Sequence, residues 1–298
     1  MTAPTATWLV TGAAGMLGQD LLAVLDAAGV KAVGLGRADL DVTDAEAVAA
    51  AVAGHAVVVN CAAWTDVDGA ETAEEAATAV NGTGVRNLAA ACAAAGARLL
   101  HVSTDYVLPG DAAEPYAESA PTGPVNAYGR SKLVGEQAVL ELLPESGYVV
   151  RTAWLYGEHG GNFVATMLKL AAQRDTLDVV DDQHGQPTWS YALAERLLAL
   201  GLAESAPAGV YHGTASGRTT WFGLAREAYR LTGLDPERIR PTTSAAFTRP
   251  AVRPAFSVLG HDRWAEAGLP PLAEWRDQLA EAVRRPAFAS LLTGPASG

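Results

Sequence analysis

The stretch that most constrains this chain lies near its start, where Trp8-Leu9-Val10 runs directly into Thr11-Gly12-Ala13-Ala14-Gly15-Met16-Leu17-Gly18 and then into Leu21, Leu22 and Leu25. An apolar run, a glycine turn and apolar residues at helical spacing read as strand, turn and helix. Glycines at 12, 15 and 18 allow a tight turn, close approach of backbone to a pyrophosphate, and packing of helix on sheet. The first helical amides, at Met16 and Leu17, would face the phosphates. The spacing is Gly-x-x-Gly-x-x-Gly rather than Gly-x-Gly-x-x-Gly. A chain that opens this way is directed toward a parallel α/β sheet with its ligand at the carboxyl ends of the strands.

Lys31 to Leu35 reads as the second strand and ends in Gly36-Arg37, where an acidic residue would otherwise accept from the adenosine ribose of NAD. Arg37 can instead pair with a 2′-phosphate, which favours NADPH and leaves NADH as the alternative. Asp39 and Leu40 are expected to flank the adenine, and Thr43 or Asp44 to cap the next helix. Ala56 to Asn60 is a continuous apolar run, as in a parallel strand covered on both faces. Cys61, Ala62 and Ala63 are small enough to pass close to a cofactor, while Thr65 and Val67 point onward to a substrate. Glu71 to Ala95 reads as one long alanine-rich helix in which Asn81 and Asn87 are exceptional among small residues, Asn81 being an amide suited to bonding active-site backbone.

Arg98 to Ser103 is the next strand and delivers Thr104 to the carboxyl end of the sheet. A loop from Pro109 to Pro124 precedes Tyr128-Gly129-Arg130-Ser131-Lys132. Tyr128 and Lys132, four apart on a helix, share one face. A nearby ammonium is expected to lower the tyrosine pKa and fit it for proton transfer. Beyond Trp154 strands become shorter and turns commoner.

With 298 residues, 49% hydrophobic and 18% charged, the chain can bury the core of one large domain or two unequal ones. Its net charge of -12 argues against nucleic acid and anionic membranes as partners. Two cysteines without metal-ligand spacing suggest reduced thiols, and no apolar stretch reaches the ~18 residues of a membrane span. The expectation is a soluble, cytoplasmic protein. No His, Cys and carboxylate cluster suggests a metal, and the oligomeric state is not legible, although a homodimer is compatible with the chain.

Four segments together support a family: Thr11 to Gly18, Ser103-Thr104-Asp105-Tyr106, Tyr128 to Lys132, and Asp181-Asp-Gln-His-Gly-Gln-Pro-Thr188. The chain resembles the extended short-chain dehydrogenases, and within them the dTDP-4-dehydrorhamnose reductase family, from about Trp8 to Leu279. The resemblance implies a Rossmann-type, doubly wound parallel α/β sheet with a smaller α/β substrate-binding domain. Residues 1–155 with parts of 185–215 would bind NADP, 156–184 and 216–292 the substrate, and 293–298 would form a disordered tail.

It also implies that Thr104, Tyr128 and Lys132 are the catalytic triad, acting on the C4 keto group of a dTDP-4-keto-6-deoxysugar. Foremost is dTDP-4-dehydrorhamnose, reduced to dTDP-L-rhamnose, with related sugars of antibiotic pathways as further candidates. Tyr128 and Lys132 would also touch the cofactor. Related dehydratases carry Thr-Asp-Glu where this chain has Thr104-Asp105-Tyr106, and Tyr106 cannot remove the proton that elimination requires. Asp105, Tyr106 and Trp154 are therefore assigned to the sugar, Asn162 and Gln183 to the nucleotide, and Arg253 to its pyrophosphate. Leu108 replaces the family's usual aromatic residue at a pocket-forming loop. The alternative is a non-catalytic nucleotide-binding regulatory subunit, similar to the beta type that binds methionine adenosyltransferase.

Overall fold

The structure is a computed structural model that describes residues 7–292, so the proposed tail at 293–298 lies outside the described residues. Six parallel strands form the central sheet: β1 (Trp8–Thr11), β2 (Ala32–Leu35), β3 (Val57–Asn60), β4 (Arg98–Thr104), β5 (Gly147–Thr152) and an edge strand, Gly209–His212. Their order is edge strand, β5, β4, β3, β1, β2. The chain therefore winds outward from β1 to β2 and resumes on the other side at β3. Ligands of such sheets bind where the order reverses, and the glycine turn after β1 stands at that point.

Continuous apolar strands follow from a sheet covered on both faces. On one face Leu9, Val58, Leu99 and Val149 pack with Val48, Val52, Leu88 and Val139. On the other, Trp8, Val10, Val59, Leu100 and Val150 pack with Leu21 and Leu25 of helix α1 (Met16–Ala27) and with Leu193 and Leu197. A separate cluster gathers Tyr156, Leu168, Leu177, Trp189, Leu224, Tyr229, Trp275 and Leu279. There the strands pair only in twos, Leu177–Val180 with Ile239–Thr242 and His184–Gly185 with Thr219–Thr220. No helix among the described residues is long and apolar enough to cross a membrane.

The single helix expected over Glu71 to Ala95 is not what forms. A short helix spans Val67–Ala70, and the longer one starts at Glu74 and widens into a π-helical turn at Ala79–Thr83 before continuing as Gly84–Ala95. The physical reason is Asn81, whose side chain turns inward in that turn and bonds the backbone of Trp64. Such single-turn widenings inside helices frequently mark functional sites.

Candidate active site

The cofactor side of the site is built from backbone held by buried polar groups. Gly12 adopts φ +67°, and a Cβ there would lie 2.5 Å from the Ala62 amide nitrogen, so both conformation and space demand glycine. Asn60 holds the facing segment in place. Its Oδ1 accepts from Thr11 Oγ1 (2.7 Å) and the Ala62 amide (3.1 Å), while its Nδ2 donates to His101 Nδ1 (3.0 Å). Thr11, Asn60 and His101 are register partners on β1, β3 and β4, so the sheet itself aligns this row. As an acceptor at Nδ1, His101 is neutral with its proton on Nε2, and burial lowers its pKa well below the ordinary value. Cys61 follows, a thiol that burial pushes up to about 12.

Residue Gly15 caps α1 without any side-chain bond, and Ala14 and Gly15 are exposed. The first-turn amides, with Met16 and Leu17 behind them and Gly18 buried against the turn, are thus open to an anion. Arg37 is exposed. Asp39 bends back to accept from the Gly36 amide (2.9 Å). Leu40 departs from expectation: its side chain is buried with Val42 and Val48, so it supports the turn from the core instead of flanking a ring. Asp44, not Thr43, caps the following helix.

Thr104 ends β4 and is buried. Facing it is the helix Ala127–Leu142, capped by Asn126, whose Oδ1 accepts from the Gly129 amide (2.8 Å), and by Glu71, which accepts from the Ala127 amide (2.8 Å). A Cβ on Gly129 would lie 2.2 Å from the Tyr106 carbonyl oxygen, so glycine lets this helix press against the end of β4. The result brings Tyr128 edge-on to Tyr106, ring centroids 5.9 Å apart, with its phenol facing the Thr104 hydroxyl. Ser131 Oγ donates to the Tyr128 carbonyl (2.7 Å) and accepts from Asn81 Nδ2 (2.9 Å), which ties the helix to the Trp64 backbone.

Lys132 is buried and its Nζ donates to the Val102 carbonyl (2.7 Å). Burial brings its pKa down to about 8, opposed by Glu136 and Cys61. Below it Glu136 and Arg151 form a buried bidentate ion pair (2.9 and 2.8 Å). The expected lowering of Tyr128 by Lys132 is corrected here. Burial above all pushes the phenol up to about 12 and only the Thr104 hydroxyl opposes it, because the ammonium is turned toward Val102. Tyr128 thus carries its proton at neutral pH, the state a proton donor needs.

On the far side of the triad, side chains come from distant segments. Trp154 leaves β5 at φ +47°, a strained conformation for a bulky residue, and stacks on Trp221 at 3.6 Å, with Phe163 at 4.7 Å from the same ring. Gln183 accepts from Trp221 Nε1 (3.1 Å) and donates to Ser244 (2.8 Å), and Asn162 caps its helix and bonds the Gly157 carbonyl (2.8 Å). Both amides expected at the nucleotide thus already bond protein. Arg253 grips Asp68 through two nitrogens (2.8 and 3.0 Å), holding that carboxyl below its usual range, and Arg249 approaches the same group at 3.6 Å. Asn126 Nδ2 donates to the Val252 carbonyl (2.9 Å), so the Arg249–Arg253 segment is fastened to the cap of the Tyr128 helix. Thr65 is exposed and Val67 half-buried, one residue before Asp68. Leu108 is not a pocket wall. It is wholly buried with Val107 and Leu259 and packs against Tyr116, so it reaches the site only through the loop above it.

Sequence reasoning missed Asn60, Glu71, Asp68 and Asn126. Only Asn126 carried a local signal, an amide side chain just before a helix start; the others reach partners 41 or more residues away, as Asn60 does at His101 and Glu71 at Ala127 with its separation of 56.

The RmlD substrate binding domain family matches residues 6–287. Over 283 residues the chain is 60% identical to a dTDP-4-dehydrorhamnose reductase of Streptomyces griseus, covering 93% of each. It is 53% identical to a dTDP-4-keto-6-deoxy-D-glucose reductase of Streptomyces niveus over 280 residues, 93% of this chain and 96% of the relative. Among solved structures, a dTDP-4-dehydrorhamnose reductase of Bacillus anthracis in complex with NADP superposes with a TM-score of 0.88 at 33% identity, covering 94% of this chain and 99% of the other. With a parallel sheet reversing at a glycine turn and Thr104, Tyr128 and Lys132 gathered beside it, the chain belongs to the RmlD substrate binding domain family of extended short-chain dehydrogenases.

Proposed function

We propose that this chain reduces the C4 keto group of a dTDP-4-keto-6-deoxysugar with NADPH, with dTDP-4-dehydrorhamnose as the foremost substrate. The observation that carries this reading is a protonated Tyr128 facing Thr104, with Lys132 one turn along the same helix and the glycine turn after β1 alongside. NADPH, when bound, supplies the hydride. The α1 amides hold its diphosphate and Arg37 its 2′-phosphate, and the Asn60 row keeps Cys61, Ala62 and Ala63 shaped to receive it. Lys132, whose ammonium has two further N–H donors beside the one given to Val102, would bind the nicotinamide ribose.

Charge develops on the sugar oxygen only as the hydride arrives. Donors aimed there act chiefly on the transition state: Tyr128 transfers its proton to the forming alkoxide and Thr104 donates a hydrogen bond to it. Tyr106, held protonated chiefly by burial, is no base for removing a proton from carbon, which favours reduction over elimination. The sugar rests against Asp105, Tyr106 and Trp154, with Thr65 and Val67 at the rim. The part of the chain packed around Tyr156 and Trp275 serves the nucleotide, with Arg253 at its pyrophosphate. Identity to the relatives, 60% against 53%, favours 4-dehydrorhamnose over the epimeric 4-keto-6-deoxyglucose.

The direct test mixes enzyme, NADPH and a panel of dTDP-4-keto-6-deoxyhexoses and follows NADPH absorbance. Tyr128→Phe should lose roughly 10²- to 10⁴-fold in turnover with little change in NADPH affinity. Near-normal turnover would sink the assignment. No NADPH consumption with any sugar of the panel would instead favour the regulatory-subunit reading.

A further inference from the structure

The Thr104 hydroxyl has one proton and two lone pairs. One lone pair accepts from the Tyr106 amide (3.2 Å) and the hydroxyl lies 2.9 Å from Asp105 Oδ1. If Asp105 is ionised it has nothing to donate, so the Thr104 proton must point to it. Thr104 then has no proton left for a sugar carbonyl. If Asp105 carries a proton, the same contact reverses: the carboxyl donates to the second lone pair of Thr104, and the Thr104 proton turns away from Asp105 to the side where the Tyr128 phenol faces it and the substrate carbonyl would lie.

The surroundings shift the carboxyl toward its neutral form. Asp105 is 2% exposed. The groups bearing on it most strongly are the hydroxyls of Ser257 and Thr104 and the amides of its own residue and Tyr106, with no cation among them, and burial raises its pKa to about 6. Tyr106 and Tyr128 face it from the 3-10 turn after β4 and from the catalytic helix, both neutral phenols. Arg253 and Arg249 bear on Tyr106, but both are drawn to Asp68.

We propose that Asp105 is a positioning residue that acts in its protonated form, turning the single proton of Thr104 toward the C4 oxygen of the substrate. It gives up no proton in the cycle: the hydride goes to C4, the Tyr128 proton to O4, and Asp105 only keeps Thr104 a donor. This rests on the reading of Thr104 and Tyr128 given above and assigns Asp105 a task beyond contact with the sugar.

The sign of the pH dependence follows. The neutral form is active, so turnover falls as pH rises through the Asp105 ionisation. The experiment measures kcat and KM from about pH 5 to 9 for the wild type, Asp105→Ala, Asp105→Asn and Thr104→Val, with NADPH binding to each as the check on folding. Asp105→Ala should lose about 10- to 100-fold in kcat. Asp105→Asn, whose amide donates to Thr104 at every pH, should recover most of that loss and lack the limb near pH 6, leaving only the fall near pH 8 that belongs to Lys132. If Asp105→Asn is as slow as Asp105→Ala, or keeps the wild-type limb, or if either variant changes KM alone, the proposal is overturned. The reading beneath it fails by a different sign: Thr104→Val would turn over like the wild type at every pH.

Discussion

On the cofactor side, backbone meets backbone, Gly12 against Ala62 and the Gly36 turn folded on itself, and the polar groups that hold it, Thr11, Asn60 and His101, stand in one register row of the sheet. On the sugar side, side chain meets side chain across long separations: Trp154 with Trp221, Gln183 with Ser244, Arg253 with Asp68. The sheet fixes the first arrangement as soon as the strands pair. The second depends on short two-stranded pairings and loops. The contrast teaches where such a protein can change its specificity: the part that meets a constant partner is tied to the scaffold, while the part that meets a variable sugar rests on contacts that single substitutions can retune.

The strongest way to break this contrast is at Gly12. Valine there meets both a left-handed φ and the Ala62 amide at 2.5 Å, with backbone rather than a flexible side chain on the other side. Strain and overpacking together should cost about 2–5 kcal/mol, read as a lower urea midpoint at constant slope, and NADPH quenching should be lost. A Gly12→Val protein with a normal midpoint would mean the cofactor side is as adaptable as the sugar side. Next in size is Arg253→Ala. A hydrogen bond to a charged group contributes about 1.5–3 kcal/mol, so KM for the dTDP sugar should rise about 10- to 100-fold while NADPH affinity stays put. If KM does not move, the Arg253–Asp68 pair is a fastening of the Arg249–Arg253 segment and nothing more.

The same contrast governs what was legible from residues alone. The Gly12–Gly18 turn, the apolar strands and the pairing of Tyr128 with Lys132 are local patterns, and local patterns survive in a sequence. The roles of Asp68 and Glu71 do not, because each carboxyl finds its partner across the fold, 185 residues away at Arg253 and 56 at Ala127. Asn81, like Asn87, stands out as an amide among small residues, yet the π-helical turn that aims it is not legible, since helix period alone does not reveal one extra residue in a turn. Electrostatics were the least legible. A lysine one turn from a tyrosine suggested a lowered pKa, but burial outweighs a cation that points elsewhere.

The smallest expected effect is also the sharpest test of the contrast, because Arg37 is an exposed cofactor-side group that would act through a flexible side chain. It is exposed, and the charge it bears on is Asp41, itself fully exposed. A solvated guanidinium contributes little through water, and the ordering of its long side chain offsets part of any gain on pairing with a 2′-phosphate. Arg37→Gln should therefore lower the NADPH-over-NADH ratio of kcat/KM by only about 5- to 20-fold, acting through KM. Because the pair is surface-exposed, the difference between wild type and variant should shrink as ionic strength rises past the point where the Debye length falls to about 8 Å. An unchanged ratio at low salt would place cofactor selection in the backbone of the Gly36 turn, and the adenosine end of the cofactor side would then contain no adjustable element.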